Sequence, residues 1–161
     1  MNLLTPGVHH RTVGTAGART GLMATTALQA AVAVMLSHPA LAQLSPTARP
    51  TGGQVVAGQA SISQSTATTA INQGSQRAAV NWQSFDVGSA HKVDIQAPNS
   101  SAVTLNRVVG PNPSQIAGKI QANGTVVIVN QAGLTVHKGA IINTAGLVVS
   151  SANISNENLM A

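Results

Sequence analysis

The chain has 161 residues, of which 43% are hydrophobic, 7% are charged and 1% are aromatic. It contains no cysteine, which excludes a disulfide framework, a thiol nucleophile and a cysteine zinc site. The three Asp and Glu residues are too few for a carboxylate calcium cage. The net charge of +5 comes from scattered bases, so with one Trp and one Phe we expect no binding to nucleic acid.

The first 42 residues have the pattern of a secretory signal peptide. Arg11 and Arg19 precede a segment over 21–37 without ionisable side chains, and Ala-Leu-Ala follows shortly after it. The alternative is a transmembrane helix, which needs about 20 mainly apolar residues, whereas this stretch is shorter and interrupted by polar ones. We therefore predict export by the Sec machinery, cleavage by signal peptidase and no stable membrane insertion of the mature chain. The cleavage site is defined by Ala40, Ala42 and Gln43.

After this signal peptide over 1–42, the sequence predicts a short linker and one β-rich domain. Residues 43–53 are rich in Pro, Thr and Gly, which is typical of a linker. Residues 54–161 are rich in Val, Ile, Ser, Thr, Asn and Gly, a composition that favours strands and turns. This part of the sequence has no sustained helical spacing of apolar residues, so we expect an all-β domain.

The strand pattern is clearest in the second half of the β-rich domain. Apolar residues alternate with others from Ile116 to Ala122 and again from Val126 to Asn130, on either side of an Asn-Gly turn. The connections are too short for helical crossovers, which leaves antiparallel hairpins or a coil of stacked parallel strands. Because almost no aromatic residue is available to fill a sandwich core, we favour the coil, which is a β-helix.

Three asparagines near the predicted bends have two interpretations. Asn130, Asn143 and Asn153 fit hydrogen-bonded ladders between successive turns of a coil. They equally fit simple turn positions, because asparagine tolerates a positive φ. The sequence leaves both interpretations open.

Four segments, taken together, resemble a known family. They read AINQGSQRAAVNWQSFDVG over 70–88, QAPNSSAVTLNRV over 96–108, NPSQIAG over 112–118 and ANG over 122–124. In this order and spacing they resemble the filamentous-haemagglutinin-type secretion domain of two-partner secretion exoproteins, also called the haemagglutination activity domain. The resemblance covers residues 53–161. The motif residues, taken as candidates for recognition during secretion, are Gln73, Ser75, Trp82, Phe85, Asp86, Gly88, Asn106, Arg107, Asn112, Pro113, Ser114, Asn123, Gly124, Asn130 and Gly133.

One position departs from the family pattern. The family usually has Asn-Pro-Asn-Gly where this chain reads Asn-Gln-Ala-Gly, with Gln131 and Ala132 in the middle. Proline at the second position would preset a tight turn, whereas these two residues permit the turn without enforcing it. We expect this departure to affect secretion more than the fold.

The resemblance implies a fold and a role. The implied fold is all-β, a right-handed parallel β-helix (solenoid) with N-terminal capping elements. The implied role is recognition in the periplasm by a partner, an outer-membrane β-barrel transporter with periplasmic receptor domains, and export to the surface or medium of a Gram-negative bacterium. No cofactor is implied. The adhesin, haemolysin or toxin part follows downstream in such proteins, so we expect the domain over 54–161 to be truncated at its C-terminus.

Specific roles can be assigned to a few residues. The segment from Ser61 to Arg77 is a candidate for strand addition to the transporter, although an ordinary edge strand explains it as well. Trp82 and Phe85 fit core or cap packing better than a binding site. Asn106 and Arg107 are expected to attach the cap to the coil through hydrogen bonds.

Two other functions are compatible with a β-helix. A polysaccharide-active enzyme would need clustered carboxylates, but the mature chain offers only Asp86, Asp94 and Glu157. His91 and His137 have no acidic or nucleophilic neighbour in a catalytic motif, so we predict that the chain is not an enzyme. A free-standing adhesin that binds glycans is the second alternative, although the chain offers little aromatic surface for sugar stacking.

Overall fold

The computed structural model describes residues 43–161, so the predicted signal peptide over 1–42 lies outside the described residues. The described part contains twelve strands and one short helix. The elements are β1 (Gln54–Ala57), β2 (Ala60–Gln64), β3 (Thr68–Gln73), β4 (Arg77–Trp82), β5 (Lys92–Gln96), β6 (Val103–Val108), β7 (Ser114–Ile116), β8 (Lys119–Ala122), β9 (Thr125–Asn130), β10 (Leu134–Val136), β11 (Ile141–Asn143), β12 (Gly146–Ser150) and α1 (Asn156–Met160). The helix in this part is not long and apolar enough to cross a membrane.

The strands wind into a parallel β-solenoid of about four turns, which confirms the predicted fold class. One sheet has the order β1-β4-β6-β9-β12, a second has the order β11-β8-β5-β3-β2, and β7 pairs with β10 in a third. Strands of successive turns pair in parallel and in register, so Ala79, Leu105, Val127 and Val148 form one column. Each turn therefore places equivalent side chains directly above those of the turn before it.

The N-terminal end of the solenoid is closed by antiparallel strands. Strand β1 pairs antiparallel with β4, and β2 pairs antiparallel with β3. The preceding residues 43–53, which the sequence predicted as a linker, also bond to the first turn. Gln83 N donates to Thr51 O at 2.9 Å, and Gly88 N donates to Ala48 O at 2.8 Å. These backbone bonds hold the segment against the solenoid as part of the cap.

The interior of the coil is filled by small aliphatic side chains in columns. One column of the first sheet contains, in successive strands, Ala78, Thr104, Val126 and Leu147. Because short β-branched and alanine side chains fit the narrow space between the sheets, no aromatic residue is needed beyond the first turn. The narrow interior of the coil thus explains why the sequence contains almost no aromatic residues.

The alternating run from Ile116 to Ala122 is two strands in the structure. Strand β7 ends at Ile116, β8 begins at Lys119, and the two belong to different sheets. Gly118 lies at the corner between them, where a Cβ would overlap the carbonyl oxygens of Gly88 and His91. The prediction of one continuous run was therefore wrong. Alternate residues face inward on both sides of the corner, so the period-two pattern continues through it and does not reveal it.

The last residues fold back over the outside of the first sheet. Ala79, Leu105 and Val127 point outward from that sheet and form a second apolar cluster, against which Ile154 and Leu159 pack. Helix α1 carries Leu159 and contacts strands β4 and β1. The segment over 151–161 therefore crosses back from the last turn to the first.

Candidate functional site: the motif residues of the solenoid

Gln73 and Ser75 form a polar cluster where β3 meets β4. Gln73 is buried; its Nε2 donates to the carbonyl of Ser75 at 2.7 Å, and its Oε1 accepts from Thr104 Oγ1 at 2.5 Å. Ser75 Oγ accepts from Gln59 N at 2.8 Å and donates to Arg77 O at 2.6 Å. These bonds satisfy backbone groups at a bend, where the strand ladders cannot reach them.

Trp82 and Phe85 pack together in the core, as predicted. Each side chain is 1% exposed, and the two rings meet edge to face with centroids 5.7 Å apart. Trp82 Nε1 donates to Asn106 Oδ1 at 3.0 Å, and Asn106 is fully buried one turn further along the coil. The pair fills the solenoid beneath the cap, so neither ring is available to an outside ligand.

Arg107 ties the fold-back segment to the outer face of the first sheet. Its Nη1 donates to Asn81 Oδ1 at 3.0 Å, and its Nη2 donates to Asn156 Oδ1 at 3.0 Å and to the carbonyl of Ile154. The expected attachment by hydrogen bonds is present, but it holds the C-terminal segment, whereas Asn106 supports the aromatic pair beneath the cap.

Asp86 and Gly88 lie in the segment between β4 and β5 and hold it against β7 and the N-terminal segment. Asp86 Oδ1 accepts from the backbone nitrogen of Gln115 at 2.8 Å, which joins the first turn to β7. At Gly88 a Cβ would overlap the carbonyl oxygens of Ser45 and Pro46, so only glycine allows the N-terminal segment to lie this close.

Asn123 and Gly124 form the bend between β8 and β9. Asn123 Oδ1 accepts from Ala97 N at 2.7 Å, and Asn123 Nδ2 donates to Ala97 O at 2.7 Å. The side-chain amide thus bonds the backbone N–H and C=O of Ala97 in the previous turn, as a paired strand residue would. Gly124 is buried, and a Cβ there would come within 2.8 Å of Ala102 O.

Asn130 closes the next bend, and its contacts choose between the two interpretations for this residue. Its Nδ2 donates to Ser114 Oγ at 2.9 Å and to Asn112 O at 3.1 Å, and its Oδ1 accepts from Ala132 N at 2.9 Å. Its partners are therefore a serine, a carbonyl and its own turn, and neither Asn143 nor Asn153 is among them. Asn130 is a turn residue, and the ladder interpretation does not describe it.

The altered turn over 130–133 still forms. Gly133 N donates to Asn130 O at 3.0 Å, and Gly133 adopts a φ of +97°. The outer Asn and Gly, which this chain shares with the family pattern, supply the side-chain acceptor and the left-handed backbone that the turn requires. Gln131 and Ala132 are exposed between them.

One open groove lies beside these bends. It has a volume of about 780 Å³, and its walls include Leu44 and Pro46 of the N-terminal segment, Gln115 of β7, and Pro113 and His137, which flank β7 and β10. Pro113 is the motif residue exposed to this groove, and Gln43, the predicted first mature residue, lines its edge. His137 Nε2 lies 3.1 Å from Gln115 Oε1 on the same surface.

The carboxylates are not brought together. Asp94 forms a salt bridge of 2.6 Å with Lys92 on the outer face of β5, and this hydrogen bond is the main cause that lowers the pKa of Asp94. Glu157 is at the start of α1, where hydrogen bonds from its own backbone and from Ser155 lower its pKa. Within residues 43–161 there is no cluster of three His, Asp or Glu side chains that could hold a metal ion.

The sequence analysis missed a buried polar chain around His91. The ring is 2% exposed; its Nδ1 lies 3.1 Å from Thr66 O and its Nε2 lies 2.9 Å from Thr69 Oγ1. Because a carbonyl can only accept, Nδ1 carries the hydrogen, and Nε2 then accepts from the hydroxyl of Thr69. Gln64 Nε2 in turn donates to Thr69 Oγ1 at 3.0 Å, which links the edge strand β2 to the core. No local sequence signal could have found this chain, since Gln64, Thr66 and Thr69 lie at least 22 residues before His91.

A coil of about four turns, an antiparallel cap and motif side chains that satisfy backbone groups at the bends define a capped parallel β-solenoid domain. The sequence model of the family described as TPS (two-partner) secretion domain matches residues 47–160. The chain therefore belongs to the TPS secretion domain family, which confirms the predicted resemblance.

Relatives and a solved structure agree with this assignment. The chain is 42% identical over 102 residues to a heme/hemopexin-binding protein of Haemophilus influenzae, covering 63% of this chain and 11% of the relative. It is 36% identical over 63 residues to the tRNA nuclease CdiA-2 of Burkholderia pseudomallei, covering 37% of this chain and 2% of the relative. The fold matches the HMW1 secretion domain from Haemophilus influenzae with a TM-score of 0.65 and 34% identity, covering 69% of this chain and 30% of that one. The chain thus spans about a tenth or less of the length of these curated relatives.

Proposed function

We propose that this domain directs an exoprotein to an outer-membrane two-partner transporter, which recognises it in the periplasm through receptor domains and exports it to the surface or medium of a Gram-negative bacterium. The Sec machinery and signal peptidase would act first, with cleavage after Ala42. The observation that carries the proposal is the match of residues 47–160 to the secretion domain family. The role needs no cofactor and no catalysis by this domain.

The lack of disulfides, and of strong salt bridges in the described residues, supports export of the chain through the transporter in an extended state. Without cysteine, no disulfide can lock a loop in the oxidising periplasm. Among residues 43–161 the one salt bridge, between Lys92 and Asp94, is partly exposed and is therefore weak. A solenoid whose turns contact mainly their neighbours can then form turn by turn as the chain emerges.

The buried motif residues are poor candidates for direct contact with a transporter in the folded domain. The side chains of Gln73, Trp82, Asn106 and Asn130 are buried and form internal contacts. We infer that these residues serve secretion through the fold they stabilise and that recognition uses exposed backbone and polar side chains.

The edge strand β2 offers the exposed backbone that such recognition needs. It is the terminal strand of its sheet, and its side chains at Ser61, Ser63 and Gln64 are exposed. A receptor strand could continue the sheet by pairing with the free backbone edge of β2, as in other cases of strand addition. The segment from Ser61 to Arg77 therefore remains the proposed contact, with β2 as the part that is accessible.

Co-purification tests the function directly. The chain, with a tag at its C-terminus, is mixed with the periplasmic receptor domains of an outer-membrane transporter whose gene adjoins that of the exoprotein. We expect a stable complex and no agglutination of red cells. Agglutination without receptor binding would instead support the free-standing adhesin.

A thiol-protection experiment locates the contact. Because the chain has no cysteine, Ser61→Cys creates a single reactive thiol on β2, and Ser100→Cys creates a matched one on the exposed loop between β5 and β6. We expect the receptor domains to slow alkylation of the thiol at position 61 and not of the thiol at position 100. Equal protection at both positions, or protection at position 100 alone, would contradict β2 as the contact.

A further inference from the structure

The sequence contains a single Asn-Gly pair, Asn123-Gly124, at the bend between β8 and β9. In an extended chain, the backbone nitrogen after an asparagine can attack Cγ of that asparagine, and glycine hinders the attack least because it lacks a Cβ. The new N–Cγ bond closes a succinimide ring, the Cγ–Nδ2 bond breaks, and ammonia leaves with the proton of the attacking amide. Water then opens the ring to aspartate or isoaspartate, so solvent is the only co-reactant.

In the folded domain the asparagine side chain is held away from this reaction. Both ends of its amide are bonded to Ala97 of the previous turn, each at 2.7 Å. To approach the nitrogen of Gly124, the side chain must rotate and break both bonds at once. Asn123 is exposed to water, so its protection in the fold comes from this geometry and not from exclusion of solvent.

The attacking backbone is fixed as well. Gly124 is buried, and its neighbourhood has no room even for a Cβ, which would lie 2.8 Å from Ala102 O. The next amide, Thr125 N, donates to Ala102 O at 2.8 Å, and Gly124 O accepts from Ala145 N at 3.1 Å. The peptide unit between Gly124 and Thr125, directly after the attacking nitrogen, is therefore bonded to the turns before and after it.

We propose that Asn123 is a deamidation site that the fold controls, reactive while the chain is extended and protected once the solenoid has formed. The products do not fit the bend. An aspartate would place a second acceptor 2.7 Å from Ala97 O, where Nδ2 now donates. An isoaspartate would lengthen the main chain by one atom and shift the register between β8 and β9.

The extent of deamidation at Asn123 thus increases with the time that a chain spends unfolded. A chain that waits in the unfolded state acquires aspartate or isoaspartate at this position, which destabilises the fold. Refolding does not reverse this change. Only the setting in which such waiting occurs, before export through the transporter, rests on the proposed function; the chemistry does not.

The first experiment compares rates in one purified sample. The chain is incubated at mildly alkaline pH with and without urea and then digested with trypsin, which cuts after Lys119 and Lys138 and releases a peptide that contains both Asn123 and Asn130. Mass spectrometry follows the exchange of NH2 for OH at each asparagine. Because two hydrogen bonds must break in the fold, we expect deamidation at position 123 to be about tenfold or more faster in urea than without it. Asn130, which precedes glutamine, is the internal reference; equal rates at position 123 in both conditions would overturn the proposal.

The second experiment tests the consequence. Asn123→Asp should lower the urea midpoint of unfolding and reduce the folded-to-unfolded ratio about tenfold. Asn143→Asp is the matched control at the end of β11, an exposed position, and should leave the midpoint unchanged. If Asn123→Asp unfolded at the midpoint of the original chain, the bend would accept the product and the second half of the proposal would be wrong. Neither experiment involves a transporter, so their outcome is independent of the proposed function.

Discussion

The two ends of the solenoid show how the same sequence pattern gives different structures. At the N-terminal end, β1, β2 and residues 43–53 cover the first turn, and Ile71, Val80 and Trp82 beneath them are at most 1% exposed. In the last turn, Leu147 and Val149 occupy the same inward columns as buried residues of the previous turn, yet they are 42% and 48% exposed. Alternation therefore places a side chain on the inner side of the coil, but burial requires a neighbouring turn on both sides.

The largest effect that would separate these two regions is a charge in the core. Val126 and Leu147 are register partners in one inward column, and Val126 is fully buried. We expect Val126→Asp to lower the free energy of unfolding by about 4 kcal/mol or more, because an unpaired carboxylate would lose its hydration. Leu147→Asp should cost about 1 kcal/mol or less, since its side chain already contacts water. Urea unfolding followed by circular dichroism measures both.

These two variants, together with Ile128→Asp, test whether folding outside the cell helps to drive export. If formation of the coil pulls the chain outward, Val126→Asp and Ile128→Asp should slow secretion, whereas Leu147→Asp should leave the rate nearly unchanged. Secretion of the two core variants at the normal rate would show that folding of this domain does not contribute to export.

A smaller effect is expected from glycines at the two ends. At Gly88 a Cβ would overlap the carbonyl oxygens of Ser45 and Pro46, so Gly88→Ala must push the N-terminal segment away and should cost about 3 kcal/mol. Gly139 lies in the last turn with a φ of +90° and open space around it, so Gly139→Ala should cost only about 1 kcal/mol for the left-handed backbone. Thermal unfolding of the two variants compares them, and equal losses would contradict the close approach at Gly88.

The attachments of the two terminal segments differ in strength. Arg107 makes two hydrogen bonds to the C-terminal segment and a third to Asn81 on β4, and we expect Arg107→Ala to cost about 1.5 kcal/mol and to speed proteolysis within residues 151–161. Arg49 makes one exposed bond to Ser65 O at 3.0 Å near the N-terminal cap, so Arg49→Ala should cost about 0.5 kcal/mol or less. Limited proteolysis with mass mapping distinguishes the two, and unchanged cleavage in Arg107→Ala would show that the apolar contacts of α1 suffice.

The smallest effect concerns pH. Asp94 lies in the second turn beside Lys92, and the uncharged Asn143 occupies its register in the last turn. Because the hydrogen bond to Lys92 lowers the pKa of Asp94 in the fold, its contribution is present above the pKa of the unfolded chain and disappears as pH falls through the lower, folded pKa. The pair is partly exposed, so we expect less than about 1 kcal/mol. Asp94→Asn should flatten the acid side of the stability curve slightly, and an unchanged curve would mean that the pair contributes nothing.

Local pattern was sufficient for some parts of the structure and not for others. Strand β9 and the burial of Trp82 and Phe85 were predicted from alternation and composition, because inward side chains of a coil repeat every second residue. The corner at Gly118 was missed because two short strands that meet at a bend can keep the same inward phase. The chain of bonds through His91 was missed because its partners on β2, on β3 and between them lie at least 22 residues earlier in the chain.

The motif residues show the same division. Their order and spacing identified the family, and the Asn-Gly pair identified a bend. Their tasks became visible only in three dimensions: Asn123 bonds to Ala97, which is 26 residues earlier, and Arg107 bonds to Asn156, which is 49 residues later.

The amino-acid sequence by itself determined that this chain is built from short strands with small aliphatic interiors and that it has the motifs of a secretion domain. Tertiary structure alone decided which turn covers which, where the cap seals the coil and which outward apolar residues the last segment shields. The physical reason is that alternation is a local property of the backbone, whereas register between turns depends on the summed length of every bend and on contacts between residues far apart in the chain.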